Sequence, residues 1–594
     1  MSRSAAPAPV DDELVGPVLA PSPAPAPRGG RDRWAERLTS WLQTRNLVLL
    51  AVVLIIGYLA LVPLLYLLYG TFFPEDEFTT GAVERAFSAP GVGAMVRNSI
   101  VFAAGSAVVA FVSGTFLAYV TVRTNVRFKG LLFAAAMIPL IIPGILYTIA
   151  WILLASGEIG VLNQITDALI GRNVFNVFSM GGMMWVQGTH TAPLVFLFMV
   201  AAFRSMDPSL EESALVSGAS RMRMILRITL PLVRPAIAGA LLIMVLRGLE
   251  GFEVPALLGS PEGIYVFTSQ IFLVVRNYPP DTAAAGALAL GLLTLAAIGV
   301  YLVNRFGAKG NQFGTVTGKG FRPRPLDLGR ARWPISALVV LYFVVTTVLP
   351  ILVMAYASLL PFYQSFSSEV FERMTLENYR DLFEAKFFSR AVVNSVVLGV
   401  GSATFVTVVT AIAAWLVART KMPGRQVVDQ LAFLPLVVPG LVLGLSISFV
   451  YLRNPLPFPV YGTLLILGIA YVTGFLPYGM RYAVAAMHQI SSELEESAHV
   501  SGATWWQTFR RVLLPLMVPG LLAGWIYVFV VSVRELSSSI LLYSPGKEVL
   551  AILTFQLYED GKLTTVAALG VVMVTGLVLV VTIAYKLGAK VGLR

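Results

Sequence analysis

The chain contains no cysteine, which excludes disulfides, thiolate metal sites and iron–sulfur clusters. Histidine is nearly as scarce: His190 lies in an apolar segment, His488 and His499 stand near a loop, and no spacing among them suggests a zinc site. His190 reads as a side chain hydrogen-bonded inside a helix bundle. Charge is thin, at 13% of residues against 57% hydrophobic, far from the balance of a soluble protein. A phosphate-binding loop is also missing. The nearest approach, Gly314-Thr315-Val316-Thr317-Gly318-Lys319-Gly320, has three residues between its glycines instead of four and glycine where Ser or Thr would meet magnesium. No convergent nucleophile, metal or acid–base cluster points to an enzyme, and no residue is singled out as catalytic, cofactor-binding or metal-ligating.

What the chain has in abundance is long apolar runs. Stretches such as Asn46 to Tyr69 and Thr564 to Tyr585 carry no acidic or basic residue over about 20 positions, enough to cross a roughly 30 Å hydrocarbon core as a helix. Twelve spans are expected, near 46–70, 97–122, 130–155, 182–203, 233–258, 283–305, 334–358, 391–418, 429–452, 462–487, 516–541 and 564–588. The net charge of +11 would suggest nucleic-acid binding in a soluble protein, so the location of the charges decides. Arg28, Arg31, Arg33, Arg37 and Arg45 precede the first span, Arg123, Arg127 and Lys129 follow the second, and Arg204, Arg221, Arg223 and Arg227 follow the fourth. Acids such as Glu75, Asp76 and Glu77 occupy the intervening loops. This positive-inside pattern predicts an all-α, multi-pass membrane protein with both termini cytoplasmic and the lipid bilayer, not nucleic acid, as its partner.

Internal repetition sets the architecture. Asn98-Ser99, Arg123-Thr124, Pro139 and Pro143-Gly144 recur 296 positions later as Asn394-Ser395, Arg419-Thr420, Pro435 and Pro439-Gly440. Pro193, Glu212, Gly218, Pro231 and Ser260-Pro261 recur at 284 as Pro477, Glu496, Gly502, Pro515 and Ser544-Pro545, so the first half holds 12 extra residues between its third and fourth spans. Six spans per half give both halves the same orientation, related by a pseudo-twofold axis along the membrane normal. The domains expected are a disordered Pro/Ala-rich tail with a short interfacial segment (1–45), a first membrane domain (46–310), a linker (311–333) and a second membrane domain (334–594).

Between the fourth and fifth spans of each half runs a repeated cytoplasmic stretch. The first begins Glu212-Ser213-Ala214-Leu215-Val216-Ser217-Gly218-Ala219-Ser220 and the second Glu496-Ser497-Ala498-His499-Val500-Ser501-Gly502-Ala503-Thr504. The physics predicts a short helix, a left-handed turn at Gly218 or Gly502, and a second helix capped by Ser220 or Thr504. Thr504 and Gln507 fit a capping box that Arg223 abolishes in the first copy. Met222 and Met224, or Trp505 and Trp506, are apolar residues available for docking; the plainer reading is a solvated loop with aromatics at the lipid interface. The fixed spacing of two copies favours docking. Pro139, Pro143, Pro435 and Pro439 fall about ten residues into the third spans, roughly 15 Å along, where freed carbonyls need protein or water. They read as kinks facing a central pathway, or as kinks that serve packing alone. Arg247, Glu250 and Glu253 in the fifth span and Arg534 and Glu535 in the eleventh read as a polar gate or transit contact, or as structural ion pairs.

The repeated loop resembles the EAA motif of permease subunits in type I ABC importers, with Ser213 and Ser497 where that family usually has alanine. The resemblance runs from about residue 46 to 594 and includes Thr375-Leu376-Glu377-Asn378-Tyr379. It implies the MetI-like permease fold in two parallel six-helix repeats. It also implies docking of Glu212 and Glu496 onto two ATP-binding subunits that hold ATP and magnesium, a turn at Gly218 and Gly502, and an extracytoplasmic solute-binding protein. Among fused permeases, Tyr461-Gly462-Thr463-Leu464 and Val533-Arg534-Glu535-Leu536-Ser537 are most similar to ferric-iron importers, with thiamine permeases also similar and polyamine, sulfate and phosphonate permeases more distant. An ion-gradient secondary transporter is the alternative of another class; it predicts mid-membrane coupling carboxylates and no paired docking loops.

Overall fold

The structure, a computed structural model, describes residues 44–157, 159–207, 209–308, 325–364, 368–422, 424–453 and 457–592. The expected disordered tail, the interfacial segment Trp34 to Trp41, most of the linker and the stretch Gly314 to Gly320 lie outside the described residues. Two compact units are present: residues 1–51, described only from residue 44, where the chain is helical, and residues 52–594.

In hydrocarbon every backbone N–H and C=O must find its partner within its own segment, so the apolar runs become helices. The first half comprises α1 (Thr44–Phe72), α2 (Gly81–Ser88), α3 (Val92–Arg123), α4 (Lys129–Ile141), α5 (Gly144–Ala155), α6 (Val161–Ile170), α7 (Met180–Ser205), α8 (Ser209–Val216), α9 (Arg234–Glu250), α10 (Phe267–Arg276) and α11 (Thr282–Ala308). The second comprises α12 (Arg332–Phe343), α13 (Leu349–Ser358), α14 (Glu377–Glu384), α15 (Lys386–Arg419), α16 (Arg425–Phe433), α17 (Gly440–Leu452), α18 (Leu464–His488), α19 (Ser492–Val500), α20 (Leu514–Val533), α21 (Leu550–Glu559) and α22 (Leu563–Gly592). No strand occurs among the described residues beyond one isolated bridge between Thr124 and Leu326.

Nine of the twelve expected spans are continuous helices, and the third, fifth and ninth are bent pairs, at 107°, 72° and 109°. A further bent pair, Pro255–Glu262 with Phe267–Arg276 at 79°, follows the fifth span. The third and ninth spans are therefore broken outright, where a kink was expected. Their cause is local. Ile142 and Val438 each precede a proline and are pushed into extended backbone, with ψ of 125° and 115°. It is thus the second proline of each pair, Pro143 and Pro439, that makes the break; Pro139 sits within α4 and Pro435 in a 3₁₀ turn.

The fifth and eleventh spans also end sooner than expected. α9 stops at Glu250, with Gly251 extended at ψ 121°. Pro255 removes the donor that would have bonded the Gly251 carbonyl and clashes with it, which ends the helix there. α20 stops at Val533. Glu253, Arg534 and Glu535 consequently lie beyond their helices, not along one helical face.

The halves interlock reciprocally around the broken spans. The Tyr58 hydroxyl on α1 meets that of Tyr451 on α17 at 3.0 Å. On the other side Tyr147 on α5 donates to the Thr346 carbonyl, also at 3.0 Å. Each half thus packs its opening span against the broken span of the other, and one buried hydrophobic core runs through both.

Candidate functional site: a central cavity and two projecting loops

The breaks at Pro143 and Pro439 border a cavity of about 200 Å³ shared by both halves. Arg247, Glu250, Glu253, Arg534 and Glu535 all line it, as does Pro435; Pro139, Pro143 and Pro439 are buried beside it and shape the backbone. Arg247 is paired with Glu250 at 3.3 Å and donates to the Tyr478 hydroxyl of the other half. Carbonyls freed by the first break are satisfied by side chains: Arg534 donates to the Leu140 oxygen, and His190 Nε2 stands 3.1 Å from the Ile142 oxygen. The ring of His190 is therefore hydrogen-bonded within the bundle and also lines the cavity.

The two carboxylates past the helix ends take matching places. A Cβ added at Gly144 would stand 3.6 Å from the Glu253 carboxyl, and one at Gly440 would stand 3.4 Å from Glu535 Oε1. Each acid thus sits at the N-terminus of an outgoing half-helix, α5 or α17, where unpaired backbone N–H groups favour negative charge. Glu535 also accepts from the Ser538 N–H at 2.9 Å and its hydroxyl at 3.1 Å. By repeat register Glu253 corresponds to Ser537, not to Glu535. Sequence spacing could not reveal this correspondence, because the two halves reach the same point two residues out of step.

Next to the cavity-lining Gly251 and Glu253, Phe252 of the first half packs with Phe272 and with Phe555 of the second, with ring centroids 5.2 to 6.3 Å apart. Arg276 lies 5.5 Å from the Phe272 ring and ion-pairs with Glu559, again across the halves. The helix α9 runs between the 209–232 loop and Phe252, which puts this aromatic plug at the far end of that helix from the loop. None of it was apparent from hydropathy, since isolated aromatics carry no positional signal.

On the loop face, Gly218 and Gly502 both adopt φ 82°, and their N–H groups bond the Leu215 and His499 carbonyls at 3.0 and 2.9 Å. Thr504 and Gln507 form the reciprocal capping box, whereas Ser220 only accepts from the Arg223 N–H, at 3.3 Å. Glu212, Ser213, Glu496 and Ser497 are exposed, and Ala214 and Ala498 half-buried. The apolar pairs are divided, which corrects the expectation that both members of each are available to dock. Met224 is buried while Met222 is 65% exposed; Trp505 packs on Trp415 and Phe509 while Trp506 is 46% exposed. Leu210, Val216 and Met222 are exposed in one loop, and Leu494, Val500 and Trp506, each 284 positions later, in the other. Two acids that directly precede the motif glutamates, buried Glu211 and half-buried Glu495, are not singled out by the sequence reading. Their signal was present: each repeats, opposite an arginine that repeats too.

Residues 110–306 and 407–590 match the family described as binding-protein-dependent transport system inner membrane component. The ferric transport system permease protein of Actinobacillus pleuropneumoniae is 26% identical over 89% of this chain and 76% of that one. An Fe(3+)-transport system permease protein of Haemophilus influenzae is 24% identical over 86% of this chain and 92% of that one. A spermidine/putrescine transport system permease protein of Haemophilus influenzae is 27% identical over 33% of this chain and 75% of that one.

Proposed function

This chain belongs to the binding-protein-dependent transport system inner membrane component family, and from that premise we propose that it is the fused permease subunit of an ATP-binding-cassette importer for ferric iron. The observation that carries the coupling part is the pair of projecting loops. Each presents its motif glutamate, Glu212 or Glu496, exposed beside the repeat-matched apolar trio that water would otherwise cover. An exposed acid ringed by exposed apolar side chains is a surface suited to a protein partner with a basic residue in an apolar groove. Two such surfaces on one chain suit two ATP-binding subunits, which would carry ATP and magnesium; this chain would need neither cofactor. The positive-inside charge pattern supports placing the loops and both termini in the cytoplasm, and the aromatic plug then faces a solute-binding protein outside.

In this reading, ATP-driven closure of the partner subunits draws α8 and α19 together and parts the plug, so that solute enters the cavity between the broken spans. Hydrolysis returns the loops and opens the cavity inward. Iron as cargo is supported by the ferric transport relatives, which match along most of the chain, and by a cavity whose charged lining is three carboxylates against two guanidinium groups. The experiment is reconstitution in proteoliposomes with the candidate ATPase and an iron-loaded binding protein. ATP-dependent iron uptake is expected, and Glu212→Lys with Glu496→Lys should abolish it together with ATPase co-purification. Uptake that survives this double reversal or needs no ATP would sink the importer reading; ATP-driven uptake of a different solute would overturn iron alone.

A further inference from the structure

Immediately before each motif glutamate stands an acid that turns the other way. Glu211 is buried and ion-pairs with Arg123, whose side chain is 3% exposed at the end of α3. The other oxygen of Glu211 accepts from Thr229 Oγ1 at 2.7 Å, in the π-helical turn that leads toward α9. In the second half Glu495 lies 3.9 Å from Arg419 at the end of α15 and accepts the Trp415 indole N–H at 2.9 Å. Arg419 additionally donates to the carbonyls of Met487 and Ile490, at the end of α18. The two arginines are 296 positions apart and the two acids 284, so both members of the pair are repeat-matched even though their local hydrogen bonds differ.

These pairs join surfaces that have to move together. One end is the projecting helix, α8 or α19, on which the residue after the acid, Glu212 or Glu496, is exposed. The other end is the second span of each half, and that span is packed without slack onto the helices that line the cavity. A Cβ at Gly188 on α7 would meet the Val109 side chain at 2.6 Å, and one at Gly248 on α9 would meet the Ala103 Cα at 2.7 Å. In the second half a Cβ at Gly479 on α18 would stand 2.3 Å from Val406 on α15. Close-packed contacts of this kind pass on a displacement and do not absorb it. α7, α9 and α18 carry His190, Arg247 and Tyr478 into the cavity. The side chains of both pairs are at most 16% exposed, so salt screens them weakly, and a largely buried pair that loses one member leaves the other uncompensated.

We infer that Glu211 with Arg123, and Glu495 with Arg419, are positioning residues that pin each coupling helix to the second span of its half and so carry partner movement to the cavity. The inference rests on the importer reading. The first pin is further braced by the linker between the halves: the Leu326 N–H donates to the Arg123 carbonyl at 2.8 Å, and the Asn125 N–H to the Leu326 carbonyl at 3.2 Å.

The test uses the assembled transporter in proteoliposomes and measures three quantities: ATPase subunits co-purified per permease, ATP hydrolysed, and solute taken up per ATP. Glu211→Gln and Glu495→Gln should keep co-purified ATPase near the wild-type amount while uptake per ATP falls by at least about fivefold, the lower end of ordinary coupling energies. Thr229→Val keeps both charges and removes one hydrogen bond, and should lower the ratio by about threefold. Exchanging the charges, Arg123→Glu with Glu211→Arg, should recover a large part of the lost ratio. An unchanged ratio in Glu495→Gln and Thr229→Val, or losses of uptake that only track lost ATPase subunits, would overturn the inference. Wild-type transporter with no ATP-dependent uptake would instead overturn the importer reading, and this inference with it.

Discussion

Replacing Phe555 by alanine should make the transporter hydrolyse ATP without its binding protein. Phe555 is buried and touches the first half through two aromatic contacts, with Phe252 at 6.3 Å and with Phe272 at 5.9 Å. Aromatic pairs contribute roughly 0.5–1.5 kcal/mol each beyond area burial, so the two across the halves hold the plug closed by about 1–3 kcal/mol. If the plug parts when ATP closes the partner subunits, that stabilisation exists only in the resting state. Its loss shifts the balance toward the ATP-closed state by about 5- to 150-fold. The neighbouring Arg276–Glu559 ion pair crosses the same boundary, but its side chains are 50% and 33% exposed, and a pair so wet contributes about 0–1 kcal/mol. The assay is ATP turnover in nanodiscs without binding protein, at low and high salt. Phe555→Ala should raise basal turnover strongly at either salt concentration, and Arg276→Ala by less than about fivefold, chiefly at low salt. Equal basal turnover in Phe555→Ala and wild type, with both folded and carrying the same ATPase load, would refute the reasoning. So would a larger effect from Arg276→Ala.

Matched substitutions in the two loops should be unequal in consequence. Gly218→Ala and Gly502→Ala each force a side chain into left-handed backbone at about 1–2 kcal/mol, but the second turn is tied into the capping box and into Trp505 packed on Trp415, so co-purified ATPase should fall further for Gly502→Ala. Thr504→Ala should likewise cost about 1 kcal/mol of local helix stability, and Ser220→Ala less, read by hydrogen exchange; equal losses in both loops would remove the asymmetry. On the face opposite the loops, Asp281 is held below the ordinary carboxylate range by the Arg85 guanidinium at 2.8 Å, with a further contribution from the Ala284 N–H it accepts at 2.9 Å. A depressed carboxylate stabilises the fold above its unfolded pKa and loses that contribution as pH falls through its folded one. Amide protection in the first turn of α11 should therefore stay level from pH 7 down to about 4 and drop only below it, while Asp281→Asn is weakly protected throughout.

The parts of this molecule legible in sequence are those written in local chemistry. Uncharged runs of membrane length became helices, and left-handed glycines closed both loops where the Ala/Ser-rich helices needed a stop. The breaks at Pro143 and Pro439 were half legible. Proline marks where a helix is disturbed, but whether it bends or divides depends on who satisfies the freed carbonyls, and at the first break Arg534 of the other half and His190 do so. Contacts between the halves were not legible at all. The plug at Phe555 and the alignment of Glu253 with Glu535 depend on tertiary geometry that does not keep repeat register. Trp505 was misjudged because composition cannot tell an aromatic that docks a partner from one that packs on Trp415.

Fusion of the two halves has a physical consequence in the cavity. At the repeat offset of 284, Glu250 corresponds to Arg534, so equivalent positions carry opposite charge. Two identical halves about a twofold axis would bring either two glutamates or two arginines into the same small cavity, and like charges in a poorly hydrated space are strongly disfavoured. A single chain removes that constraint. Its second half can supply Arg534, which reaches across to the Leu140 carbonyl of the first half, while the first keeps Glu250 for Arg247. That leaves Glu253 and Glu535 as the two cavity carboxylates with no arginine, lysine or histidine within ion-pair distance among the described residues. The asymmetry between repeats therefore sets an acid and a base, Glu250 and Arg534, at equivalent positions where exact symmetry would set two of a kind.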